Sequence, residues 1–246
     1  MVRSLVEPLR RVLAIAAMIS RRGLRAWYSY AASAIVNLWL MTMLTVFGLK
    51  RIALHVLVGA SIYTLFSSCI ASIVYDAYYS VTRLKELLLV SPLTRIEFLL
   101  GISLGHMIAA ATMCIPYIAL LSYLHPTPAL APMYLFTALS SWIVATSIGY
   151  LIPCRDPFAV GPRASLVASI LTLLPPVYYP PTLAPAWLRP WLALVPTYDI
   201  ATIAKNMIGL EQSTPTELAL CTALLAIEAA TLLALAIRRE ERLLER

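Results

Sequence analysis

The chain is a succession of long apolar runs divided by short polar breaks. The runs cover 27–49, 52–75, 96–124, 132–152, 164–179 and 216–237. A helix needs about 20 mostly apolar residues to cross a bilayer, so the pattern predicts about six transmembrane helices. The fifth run is short and ends in Pro175 and Pro176. Only Lys50 and Arg51 separate the first two runs, which predicts a tight hairpin. Ahead of them, residues 3–25 repeat with a helical period. Arg3, Glu7, Arg10, Arg11, Arg21, Arg22 and Arg25 share one arc, and Leu5, Leu9, Val12, Leu13, Ala16 and Ile19 lie opposite. That is the pattern of an amphipathic helix in the membrane interface over residues 1–26. The alternative is a plain basic anchor. Gly23 is a possible break in this helix.

Composition points the same way. Of 246 residues 61% are hydrophobic and 13% charged, against roughly half and a quarter in soluble domains. The expected fold is an all-α integral membrane protein with a single membrane domain over 27–246. Arginines recur through Arg25 before the first long apolar run, unlike a cleavable signal peptide.

The net charge of +7 is informative through its placement. With the N terminus in the cytoplasm, Lys50, Arg51, Arg189 and Lys205 fall outside, and all the rest of the 19 lysines and arginines fall inside. Basic residues accumulate on the cytoplasmic side of membrane proteins, so both termini are expected there, in a multi-pass protein of the cell membrane. Charge spread over loops in this way does not suit nucleic acid.

Two segments stand out. The first, 76–95, is a cytoplasmic break of mixed character. Leu87, Leu88, Leu89 and Val90 form an apolar patch beside Arg83, Lys85 and Glu86. It reads as a short helix in the loop, ended by Pro92, with Ser91 or Thr94 capping the next helix. Such a helix suits docking in a partner's groove; the alternative is an ordinary polar loop. The second, 180–215, lies outside yet is not hydrophilic. Prolines cut it into pieces too short to span, and Trp187, Trp191 and Tyr198 suit the interface. It reads as short helices dipping into the outer leaflet, an extracellular gate, or as a plain interfacial loop.

Candidate chemistry is sparse. A P-loop needs Gly before Lys, whereas Lys50, Lys85 and Lys205 follow Leu49, Leu84 and Ala204. His55, His106 and His125 are isolated, and none of the 4 cysteines sits in a C-x-x-C pair. No catalytic, metal or cofactor residue is therefore assigned. Gly101-Ile-Ser103-Leu-Gly105 matches G-x-S-x-G but opens an apolar helix, where it reads better as G-x-x-x-G helix packing. Its catalytic alternative is an intramembrane serine hydrolase using Ser103 with His106 or His55. A channel or scaffold subunit without an energy source is a third reading. Glu228, and more weakly Asn37, are polar groups within apolar runs and thus functional candidates.

Two stretches resemble the membrane subunits of ABC-2 type exporters. The first has Glu86, Leu88 and Leu89, Ser91 and Pro92, then Arg95, Glu97 and Gly101. Arg83 and Leu84 stand where that family often has Gly-Thr. The second has Tyr179-Pro180, Pro185-Ala186-Trp187-Leu188, then Pro196 with Tyr198, and Lys205 two turns on. The resemblance implies a permease subunit that dimerises, as a homodimer or heterodimer, and binds a separate ABC ATPase subunit, which holds the ATP and magnesium. It further implies ATPase coupling through Arg83, Lys85, Glu86, Pro92, Arg95 and Glu97. It leaves the cargo (drug, lipid or glycan) open.

Overall fold

The structure is a computed structural model that describes residues 2–25, 35, 39, 43, 45–90, 94–152, 157–185 and 187–244. Among these, the regular elements are all helices: α1 Val2–Arg25, α2 Lys50–Val90, α3 Arg95–Leu124, α4 Leu130–Leu151, α5 Pro157–Leu173, a 3₁₀ turn Pro181–Leu183, α6 Arg189–Leu192, α7 Pro196–Met207 and α8 Pro215–Leu244.

Four stretches are long and apolar enough to cross a membrane: Lys50–Val74, Glu97–Leu124, Leu130–Leu151 and Pro215–Arg239. A shorter apolar helix covers Phe158–Leu173. It falls short because Pro175 and Pro176 follow it, and proline withdraws a backbone donor. The run at 27–49 lies mostly outside the described residues. Its last turn is described. Phe47 N–H donates to Met43 O at 3.0 Å, Gly48 adopts φ +77°, and α2 begins at Lys50. Glycine alone takes that left-handed conformation without strain.

α2 is the central post, packed by α3, α4, α5 and α7. Its Leu57, Ile62, Leu65, Phe66 and Ile70 are fully buried, against Leu121, Met133, Val144, Ala168 and Ile200 of the surrounding helices. α8 is the opposite case. Only 17% of its spanning window is buried, against 61% for α2, and Leu220, Ile227, Leu233 and Ile237 face outward. Water would penalise such a face by about 25 cal/mol per Å², whereas acyl chains accept it.

The expected short helix in the 76–95 loop is not a separate element. α2 runs on without a break to Val90. Residues 76–90 contain neither Gly nor Pro, so nothing interrupts the backbone ladder after the apolar run ends. At 1.5 Å per residue α2 is about 60 Å long, roughly twice the hydrocarbon thickness. α3 then starts behind a capping box. Thr94 accepts from Glu97 N–H at 3.3 Å, and Glu97 Oε2 accepts from Thr94 N–H at 2.8 Å.

α1 is parallel to α3 and holds a constant register with it. A Cβ placed on Gly101 would lie 2.7 Å from Ile15 Cβ, one on Gly105 2.7 Å from Ile19 Cβ, and one on Gly23 2.9 Å from Ala109 Cβ. Both helices advance four residues per contact. The G-x-x-x-G stripe thus packs, as its spacing predicts, and Gly23 lies inside the helix rather than breaking it. The apolar arc of α1 is divided. Ile15, Ala16 and Ile19 are buried on the protein, while Leu9 and Leu13 remain 59% and 51% exposed.

Candidate functional site

The end of the bundle formed by the start of α2 and the close of α3 carries a buried charge cluster. Its organiser is α7, which opens with Pro196 at its first turn. Thr197 donates its hydroxyl to Leu171 O, fastening α7 to the end of α5. α7 ends at Met207, and Gly209 just beyond it adopts φ +72°. Leu210 N–H then returns to Lys205 O at 2.9 Å, and Gly209 N–H to Asn206 O at 2.9 Å. This left-handed helix stop folds the chain back, so that Glu211 reaches the Lys205 side chain.

Lys205 is fully buried. Its Nζ donates to Pro176 O at 2.8 Å and Tyr179 O at 2.9 Å, and lies 3.3 Å from Glu211 Oε1. His55 of α2, 1% exposed, brings Nδ1 to 3.4 Å from the same carboxylate oxygen. One turn along, Gly59 leaves room for the Pro175–Tyr179 turn. A Cβ there would meet Tyr178 Cδ1 and Val177 O, each at 2.9 Å. His125, at the end of α3, pairs Nε2 with Ile208 O at 2.8 Å. The ammonium therefore joins the Pro176–Tyr179 turn to the Glu211 return, and His55 of α2 meets it through Glu211. Burial lowers Lys205 to about 8, and Glu211 opposes that shift. Burial likewise raises Glu211 above the usual carboxylate range, with Lys205 opposing.

Next to this cluster Asp199 is wholly buried, with the Cys221 thiol of α8 as the hydrogen-bonding group against its carboxylate. Its surroundings raise it to about 7, mainly through burial and further through Glu228 of α8. Glu228 is half-buried, with Oε2 unpartnered.

Of the residues expected to form an extracellular gate, Tyr179 touches this cluster directly. Tyr179 supplies a carbonyl to Lys205, Pro196 is buried, and Tyr198 packs on the core. Pro180 is half-buried and Pro185 exposed. Trp187 and Trp191 project outward, 72% and 67% exposed, beside Leu183 and Leu194. Arg189 fixes this rim by donating Nε to Ala184 O and Nη2 to Thr182 O, each at 3.1 Å.

At the far end, Glu97 serves its capping box and also lies 3.8 Å from Arg11 of α1, which is in turn 3.8 Å from Glu7. Arg239 of α8 donates to Tyr150 O at 2.8 Å, closing the last turn of α4. Arg83, Lys85 and Glu86 lie on the extension of α2, and Arg95 opens α3. Pro92 and Asn37 lie outside the described residues. Ser103 donates to Leu100 O of its own helix at 3.1 Å, near the start of α3. His55 sits at the opposite end, so the fold does not join it to Ser103 as a base, while His106 lies three residues from Ser103 on the same helix.

Lys205 is visible in the sequence only through a resemblance, and Glu211 and Asp199 belong to no motif. A signal for Glu211 existed: a glycine just past an amphipathic helix predicts a reversal that brings the next residues back over its last turn. No family model matches the chain, and no curated protein does.

Proposed function

We propose that this chain is the permease subunit of an ABC-2 type exporter. It would have six spans and both termini in the cytoplasm. Two copies, or one copy and a related permease, would form the export path, and a separate ABC ATPase would supply the energy. The observation that carries the reading is α2, one unbroken helix from Lys50 to Val90. A rod that starts beside Lys205 and continues well past the bilayer carries movement between a cytoplasmic motor and the far end of the bundle. The Arg83–Glu86 stretch near its tip is the docking surface for the ATPase, and Glu97 with Arg11 braces the start of α3 against α1. The exposed Leu9 and Leu13 flank of α1 faces acyl chains. Cargo leaves along the interface between permease subunits, past the Trp187 and Trp191 rim.

The test is capture of the tagged chain from its native membranes in mild detergent, with companions identified by mass spectrometry. A soluble subunit bearing a P-loop, lost when 83–95 is replaced by a Gly/Ser linker, supports the permease. Capture without any ATPase, repeated after mild crosslinking, removes it in favour of a channel or scaffold.

A further inference from the structure

We infer that Lys205 is the pin that holds this end of the bundle shut, by tying the Pro175–Tyr179 turn down onto α2. An ammonium has three N–H donors, and Lys205 has three acceptors around it: Pro176 O, Tyr179 O and the Glu211 carboxylate. The two carbonyls belong to the only backbone between α5 and the proline-cut segment. With them held, Val177 is fully buried and Tyr178 lies across Gly59. The turn therefore covers the α2 face between His55 and Gly59. Glu211 keeps the pin charged, and His125 staples the Ile208–Glu211 return to α3.

The chemistry suits a contact that is made and broken. Replacing a buried ion pair with well-packed apolar residues is often neutral or stabilising, so stability alone gives little reason for a lysine here. Hydrogen bonds to carbonyls hold a turn in one place and can be exchanged for water when it lifts. Lifting the turn frees the segment from Pro180 to Val195 to swing on α7, and uncovers the upper part of α2. That this uncovered face is the exit for cargo rests on the permease reading; the pin itself does not.

The experiment reads the accessibility of Val177 in full-length protein in lipid nanodiscs. Val177→Cys is introduced with Cys154→Ser and Cys221→Ser, and reacted with a charged, membrane-impermeant maleimide. Buried Cys69 and Cys114 remain as internal controls. Lys205→Met is expected to speed labelling at position 177 by about ten- to a hundredfold, the scale of losing charge-assisted hydrogen bonds, with the controls unreactive. Glu211→Gln, which leaves both carbonyl bonds in place, is expected to speed it by less, about several-fold. An unchanged rate in both variants overturns the proposal. So does labelling of Cys69 and Cys114 in step with position 177, because Lys205 would then be supporting the whole fold. If Lys205→Met does not accumulate, Glu211→Gln decides alone: faster labelling supports the pin, and an unchanged rate overturns it. The readout needs neither ATP nor cargo, so failure here and failure to capture an ATPase are separate results.

Discussion

The Lys205 ammonium lies 3.3 Å from the Glu211 carboxylate, with the two side chains 1% and 10% exposed. Six residues separate them, and the glycine reversal after α7 brings them together. Removing one partner of a buried pair leaves an uncompensated charge, at a cost of about 3–5 kcal/mol. Glu211→Gln and Lys205→Met should therefore each lower the thermal midpoint in detergent. Lys205→Met should cost more, because it also abandons the carbonyls of Pro176 and Tyr179. The pair Lys205→Met with Glu211→Leu should cost clearly less than the sum of the two singles. Additive losses would show that the residues act independently.

Asp199 gives a pH dependence of definite sign. Its ordinary value is 3.8 and its folded value about 7. The folded state thus binds the extra proton, so its contribution to stability is full below about pH 4 and is lost as pH rises through 7. The shift of about 3 units corresponds to at most about 4 kcal/mol. Asp199→Asn should raise the thermal midpoint at pH 8 and leave it nearly unchanged at pH 4. Glu211, also raised by burial, acts with the same sign, so the slope should shrink rather than vanish. Lys205, lowered to about 8, is itself part-way through losing its charge at pH 8, in parent and variant alike.

The register of α1 on α3 makes a steric prediction. Gly105→Leu puts a side chain where Ile19 Cβ already lies within 2.7 Å of the added Cβ. Overpacking of this kind costs about 1–3 kcal/mol. α1 should become sensitive to limited proteolysis. Equal protection in Gly105→Leu and the parent would show that α1 is not seated as described.

Glu97 has two separable roles. Glu97→Gln keeps the side-chain acceptor of the capping box and loses only the pairing with Arg11. Glu97→Ala loses both. Hydrogen exchange at the first turn of α3 should rise strongly in the Ala variant, by about 1 kcal/mol of protection, and little in the Gln variant. Equal rises would mean that Arg11, not the cap, holds the turn.

What the sequence conveyed was set by the range of each interaction. The apolar runs, the Thr94 cap and the Gly101–Gly105 stripe are local patterns, and the structure contains them. The extension of α2 reads in the sequence as a separate helix, because polar residues after an apolar run look like a loop, whereas the helix is continuous to Val90. Polarity only ends the membrane contact; it does not end a helix. The division of α1 into a protein-facing Ile15–Ile19 side and an exposed Leu9–Leu13 side depends on α3, far along the chain. His55 and Glu211 meet across 156 positions by virtue of the fold alone. Asp199, three residues beyond Pro196, carries no local sign that the fold buries it.

Whether the α2 extension receives a motor can be read by photocrosslinking in native membranes. A benzophenone amino acid replaces Glu86 in one variant and Tyr123, 83% exposed at the opposite end, in another. An adduct is expected at position 86 with a chain carrying a nucleotide-binding P-loop, and no such adduct at 123. An ATPase adduct at 123, or partners at 86 that include no ATPase, would contradict it.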